Sequence, residues 1–487
     1  MTAMFYGPDA GGRPRRKRFL PARTRAWRVF CLAAAVVVVA PAAAARAASA
    51  AEHAGRGHPR VATAVLEVPP IGLSPSEAHL AVDPHDPNRL FAVAQAGPEF
   101  LRKEFFWRTG DGGTTWTRSP VLGGNDNSTD GFAFDPLVAA GGHGLVLYGT
   151  LAVEIDAAAG TVSQQVGTRV STDGGASFTG FGAANQITLP ICVIQGTCPP
   201  PPGAAAGDKP WLAIDTTGGA FSGAVYLVWI RDNFLTDQHT LLVAVSRDQG
   251  RTYSPPVLLD ESSAAKRAGL DELAQVAVRP DGTVDVVWNG VRHGRAVILH
   301  AWSTDGGVSF SAPERVVQLR PDASREGIQT SLAASPRGRL ALCWSQARSP
   351  DRYDPRVACT VTARRGGWGP AREILPGNGD KQYLPAAVFQ GERLWAAAYV
   401  SSATSTRLVA VRGEGHHFGR PVTVNRWPVP GDRICGPAPP DCLEGQTFIG
   451  DYTGMVAAGR HIVVAYIQPA AGPSELNKVL VSSFRTK

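Results

Sequence analysis

Ser303-Thr-Asp305-Gly-Gly307-Val-Ser309-Phe310 is one of four octapeptides of the same design in this chain. The others are Thr109-Gly-Asp111-Gly-Gly113-Thr-Thr115-Trp116, Ser171-Thr-Asp173-Gly-Gly175-Ala-Ser177-Phe178 and Ser246-Arg-Asp248-Gln-Gly250-Arg-Thr252-Tyr253. The shared pattern is S/T-x-D-x-G-x-S/T-aromatic, and each position has a mechanical reason. The aspartate accepts hydrogen bonds from its own turn's N–H groups and hydroxyls. Glycine takes a left-handed conformation without steric cost, and the aromatic ring anchors the turn on an apolar face. Four regularly spaced copies make the pattern architectural.

Around the octapeptides a longer unit recurs seven times. It begins with a polar or acidic residue, runs as a short strand, turns through Gly or Pro, and ends in an apolar strand often closed by an aromatic. The units start near Glu77, Asp130, Asp208, Asp271, Glu326, Tyr383 and Gln446. Trp229, Trp288, Trp344, Tyr399 and Tyr466 recur at one place in the unit, as packing positions between stacked sheets should. In units one to four the octapeptide follows, joining a third strand to a fourth. In unit five it has worn to Arg364-Arg-Gly-Gly-Trp368, and in unit six to Gly413-Glu-Gly-His-His-Phe418. Unit seven stops at Val479-Leu-Val-Ser-Ser-Phe484, one strand short, whereas Ala62-Thr-Ala-Val-Leu-Glu-Val68 precedes unit one as a spare apolar strand. Pairing that strand into the last sheet closes the ring and removes an exposed edge. The expected fold is all-β: a single β-propeller of seven four-stranded blades over residues 61–487, closed by an N-terminal strand, with six blades the alternative.

The first fifty residues read as an export signal rather than as part of this fold. A basic stretch from Arg13 to Arg28 precedes an apolar run from about Val29 to Ala40, and small residues with Ala45-Arg-Ala47 and Ala48-Ser-Ala50 follow. That order is the export order; a retained membrane anchor is the alternative, although the run is short for a span of about 20 residues and is closed by Pro41. Arg16-Lys17-Arg18-Phe19-Leu20 is one residue from a twin-arginine signal, so the Sec and twin-arginine routes both stay open. Residues 51–60 read as a linker, and the mature chain is expected outside the cell as a monomer. The signal holds nine of the 48 Lys+Arg and one of the 41 Asp+Glu, which leaves the body at −1. With no basic stripe in the body, nucleic acid is not an expected partner. Of seven cysteines, Cys31 lies in the signal; the rest fall into local pairs, Cys192/Cys198, Cys343/Cys359 and Cys435/Cys442. Disulfides fit an exported chain; zinc is the rival, although two facing CxxC pairs are missing.

The octapeptide resembles the Asp-box of sialidases and related BNR-repeat propellers, and the body as a whole resembles the sialidase superfamily in its repeat and boxes. The resemblance implies that Asp111, Asp173, Asp248 and Asp305 are structural and lie on the rim opposite a central funnel that holds the site. It implies three arginines gripping a carboxylate, a tyrosine nucleophile assisted by a glutamate, and an acid that protonates the leaving group. Arg231, Arg292 and Arg348 each follow the aromatic end of a second strand, and Arg325 starts an inner strand. Tyr452 and Tyr383 both open inner strands. Glu326 and Glu272 are placed to polarise such a tyrosine, and Glu77, Asp135 and Asp208 are the candidate acids. The stapled loops Gln186–Gly207 and Asn425–Gly445 are expected to wall the funnel.

Two features depart from that family. The Phe/Tyr-Arg-Ile-Pro motif carrying its first arginine is missing. The inner-strand starts are also acidic: Glu77, Asp130, Asp208, Asp271, Glu272, Glu326, Asp380 and Asp451 stand against Lys209, Arg325 and Lys381. Such a rim repels an anionic ligand unless arginines or calcium offset it, and it suits calcium or a neutral glycan. No cofactor is required by the sequence, and no HExxH, P-loop, GxSxG or dinucleotide fingerprint occurs in the body. The expected function is a secreted sialidase-like glycosidase removing a terminal sugar from a glycan. The alternatives are a non-catalytic propeller that binds glycan or protein through the same funnel, and a polysaccharide lyase.

Overall fold

The computed structural model describes residues 45–46 and 59–486, apart from 69–73, 98–101, 121–130, 234, 237, 263–273, 294, 320–328, 350–351, 364–365, 377–379, 415–416, 435–445 and 473–474. The repeat translates directly into seven sheets, each an antiparallel meander. Blades 1 to 6 cover residues 75–119, 131–190, 205–262, 275–318, 330–373 and 381–427. Blade 7 takes three strands from 454–485 and its fourth from Val61–Leu66, which pairs with Lys478–Arg485 in register from Val61↔Phe484 to Leu66↔Val479. The ring is therefore closed by the spare strand that the sequence offered. A two-residue strand, Ala45–Arg46, lies on the outer strand of blade 1; the rest of residues 1–50 is outside the described residues.

Apolar side chains pack between blades rather than within them, because a strand buried on both faces meets a sheet on each side. Trp229, Trp288, Trp344, Tyr399 and Tyr466 are all buried. Their polar ends also tie neighbours together: Tyr399 Oη donates to the Ile467 carbonyl at 2.6 Å, and Trp288 Nε1 donates to Asp260 at 2.8 Å.

The four octapeptides fold identically. In the second, Ser171 Oγ donates to Asp173 Oδ1 at 2.7 Å, Gly175 N–H donates to Ser171 Oγ at 2.8 Å, and Ser177 donates from its N–H and its hydroxyl to the two carboxylate oxygens. The bond from the Ser177 hydroxyl leads the effects that hold Asp173 down at about 2. The position after the aspartate is Gly112, Gly174 and Gly306 in three copies, at φ 73°, 71° and 72°, but Gln249 in the third, at φ 62°. A side chain in that conformation costs about 1 kcal/mol. Gln249→Gly is therefore expected to raise stability by about 0.5–1 kcal/mol in reversible denaturation, an unusual case in which adding glycine stabilises.

Cys343 and Cys359 face each other across the second and third strands of blade 5 and are bonded, with Cα atoms 4.0 Å apart. Cys192 and Cys198 are bonded around the short helix Ile191–Ile194. Cys435 and Cys442 lie outside the described residues. Replacing Cys343 and Cys359 together by Ser is expected to cost about 3 kcal/mol, read as a lowered unfolding midpoint that reductant reproduces in the wild type.

Candidate functional site

The innermost strands carry the site, and a repeated irregularity aims them. Pairing with the second strand slips by one residue at Ser76/His79, Phe134/Leu137, Asp208/Trp211 and Tyr383/Ala386. Glu77, Asp135, Lys209 and Leu384 occupy those slips at φ 57°, 55°, 47° and 51°. Three of the four precede proline, which has no N–H to give the ladder. A bulge bends its strand and redirects side chains. Here it turns Glu77, Asp135 and Lys209 from three successive blades toward the axis. Blade 7 reaches the same place through Gly450, at φ 110°, where a Cβ would stand 2.5 Å from the Glu77 backbone nitrogen.

Contacts between blades that are not neighbours fix where the axis lies. Lys209 of blade 3 is ion-paired with Asp451, which opens blade 7, and its Nζ is also 3.6 Å from Asp135 of blade 2. One step deeper, His79, Trp211 and Tyr452 from blades 1, 3 and 7 meet edge to face, with centroids 5.0, 5.6 and 6.0 Å apart. The hub is thus a charged floor resting on an aromatic plug. Val138 N–H donates to His79 Nδ1, and burial holds that imidazole down at about 4, so it stays neutral.

Two carboxyl groups share one donor at this floor. The Lys209 N–H donates to Asp208 Oδ1 at 2.9 Å and to Asp135 Oδ2 at 3.2 Å. Burial raises Asp208 to about 7; Lys209 opposes the rise and Asp135 adds to it. Glu77 is driven well above the usual range, first by burial and then by Asp135. Asp451 is raised by burial against the pull of Lys209. Burial works to lower Lys209, yet Asp135, Asp451, Asp208 and Glu77 together hold it well above its ordinary value. Both carboxyl oxygens of Glu77 and Oδ1 of Asp451 are buried without a hydrogen-bond partner. Arg102, stacked 5.3 Å over Phe134, adds the second cation. The cluster retains protons near neutrality because four acids crowd two bases.

Below the floor, Glu104 accepts hydrogen bonds from Tyr148 and, at 2.8 and 2.9 Å, from Thr150. Burial pushes it up to about 8 against those two bonds.

Of the residues expected from sequence, the structure gathers Asp135, Asp208 and Glu77. Tyr452 reaches the hub, but its hydroxyl is committed to the Pro136 carbonyl, to which it donates at 2.9 Å. Tyr383 turns into its own blade, 2.6 Å from Ser401 Oγ and stacked on Tyr399. Burial raises both phenols. Arg292 is held by Asp260 of the outer strand of blade 3 at 3.0 Å, and Arg231 is exposed. Glu326, Glu272 and Arg325 lie outside the described residues, as does the side chain of Arg348. Among the described residues no cluster of three or more His, Cys, Asp or Glu is arranged to hold a metal ion, and no helix is long and apolar enough to cross a membrane. Lys209 and Asp451 were visible as strand starts without a role; Arg102, Glu104, His79 and Trp211 gave no sequence signal of their own.

No protein-family model matches the chain, and no curated protein matches it. Among solved structures, the α-L-arabinanase of Penicillium chrysogenum complexed with arabinobiose aligns over 56% of this chain and 92% of its own, at 14% identity and a TM-score of 0.34. The Trypanosoma rangeli sialidase in complex with the inhibitor DANA aligns over 70% and 55%, at 12% identity and 0.40. The α-L-arabinofuranosidase of Fusarium graminearum with an iminosugar inhibitor aligns over 67% and 90%, at 12% identity and 0.39. Identities and scores at this level do not bear on activity.

Proposed function

We propose that the protein is an exported glycoside hydrolase that cleaves a neutral glycan at the propeller hub, with Asp208 as proton donor and Asp135 as its partner carboxylate. The observation that carries this reading is the pair of carboxyl groups on the Lys209 N–H. A glycosidase needs one carboxyl that is protonated at working pH and one that is not. Asp208, partly exposed and raised to about 7, fits the first role. Asp135 has one oxygen on the Lys209 N–H and the other 3.6 Å from its ammonium group, the placement of the partner carboxylate. In the reaction Asp208 gives its proton to the glycosidic oxygen as that C–O bond breaks. The Asp135 carboxylate attacks the anomeric carbon, and water, deprotonated by Asp208, then releases the sugar. Sharing one donor keeps the two oxygens closer than the roughly 6.5 Å at which inverting pairs begin, which favours retention of configuration.

A neutral sugar is preferred over sialic acid because the hub brings together no three-arginine clamp among the described residues: Lys209 is engaged by Asp451 and Asp135, and Arg292 is committed to Asp260. The test is a panel of aryl glycosides offered to the mature body, with neutral pentosides, neutral hexosides and a sialoside side by side. Hydrolysis of a neutral member is expected, with kcat/KM falling as pH rises through about 7, because an acid works only while protonated. Turnover of the sialoside alone would remove the reading.

A further inference from the structure

The rim opposite the hub holds a second cavity that the proposed reaction does not use. It is a groove of about 750 Å³ running across blades 4 and 5 to the edge of blade 6, lined among others by His300, Trp302, Glu314, Arg339, Trp368 and Glu392. Its residues come from turns between first and second strands, from turns between third and fourth strands, and from the third and fourth strands of blade 4 next to its turn. Inner strands start on the other face, so no ligand here touches Asp135 or Asp208.

The groove opens where the repeat has worn away. In blade 1 the turn is full length, and the Trp116 indole N–H donates to the Gly113 carbonyl at 3.1 Å. In blade 5 the turn closes tightly through Ala363 and Gly367, and the Trp368 indole N–H is buried with no partner. Trp368 itself lines the groove. The walls around it are braced: His300 is buried, 2.9 Å from Glu314 and 2.8 Å from Asp285, with Trp302 and Trp368 ring centroids at 5.4 and 5.5 Å.

Charge identifies the ligand. Arg339 is paired with Glu392 at 3.0 Å and Arg279 with Asp285, Glu314 is hydrogen-bonded to His300, and Arg337 stands exposed at the lip. A groove of paired charges attracts neither a polyanion nor a polycation. It offers hydrogen bonds at fixed spacing beside two indole rings, which suits the hydroxyls and C–H faces of sugar rings. A smaller cavity of about 290 Å³ between blades 5 and 6 adjoins it, with the Arg339–Glu392 pair lining both.

We infer that this rim groove is a second, non-cleaving site for a neutral oligosaccharide chain several units long, tethering a polymer on the face opposite the hub. The inference shares its ligand class with the proposed function, but it stands on its own residues. Calorimetric titration of an Asp208→Asn protein with cello-, xylo- and arabino-hexaose separates the two. At least one hexasaccharide is expected to bind with Kd below about 1 mM. Trp368→Ala should weaken it about tenfold or more, and Glu392→Gln severalfold, with the unfolding midpoint checked for each. In an otherwise wild-type chain, Trp368→Ala should leave turnover of a short aryl glycoside unchanged and slow turnover of the polymer. Absence of binding by all three probes would overturn the inference, as would binding that neither substitution weakens. Failure to hydrolyse any glycoside would sink the hub reaction while leaving the isotherms readable.

Discussion

Asp135→Asn and Asp208→Asn each lower kcat/KM on an unactivated glycoside by about a thousandfold, the range lost when a positioned acid or its partner carboxylate is removed. Both substitutions keep side-chain volume and an acceptor for the Lys209 N–H, so the hub should stay assembled. Unfolding midpoints close to wild type are the control. Combining the two should cost little more than either alone, because residues acting as one unit do not add. Lys209→Met is a different perturbation: it leaves Asp135 and Asp451 buried without their shared cation, and loss of folding stability is expected with loss of activity.

The second large effect concerns stability against pH. Glu104 sits at about 8 in the folded protein, above the ordinary carboxyl value of 4.5. The folded state therefore holds this proton more tightly than the unfolded chain does. Its stabilising effect is complete below about pH 4.5, shrinks as pH rises, and is gone above about 8. The raised Asp208 acts with the same sign up to about 7. Unfolding midpoints should therefore fall from pH 5 to pH 9. Glu104→Gln, which mimics the protonated acid and still accepts from Tyr148 and Thr150, should flatten the curve and gain about 4 kcal/mol over wild type at pH 9. The two proteins should match at pH 5. Parallel curves would show that Glu104 is ionised throughout and that burial does not set its charge.

The architecture was legible because it is periodic. Seven units, their recurring aromatics and the spare strand at 61–66 follow from hydrophobic spacing and turn chemistry, which act locally. The hub was only partly legible, because its members are far apart in sequence: Asp451 and Lys209 meet across 242 residues. Reading strand starts as funnel residues located Glu77, Asp135 and Asp208 but also promoted Tyr383, whose ring turns back into blade 6. The bulged residues Glu77, Asp135 and Lys209 reach the axis, whereas Tyr383 stands one residue before its bulge, the place Asp208 holds in blade 3, and its hydroxyl bonds Ser401 within blade 6. The dipeptides Asp135-Pro136, Lys209-Pro210 and Leu384-Pro385 mark the bulge, since proline inside an inner strand forces a gap in the ladder. That signal was in the sequence and needed only alignment of the units to be seen. Arg292 shows the opposite limit: its strand end was placed correctly, but Asp260 of the next blade draws its guanidinium outward.

The most direct test of acid catalysis at the hub compares leaving groups. Aryl glycosides of the sugar that the wild type accepts would be made with dinitrophenol and with phenol, and kcat/KM measured for wild type and Asp208→Asn. A dinitrophenolate departs without a proton, so the variant should hydrolyse that substrate within about tenfold of wild type and the phenyl substrate about a thousandfold more slowly. Equal losses on both substrates, or no loss on either, would contradict the assignment of Asp208 as the proton donor.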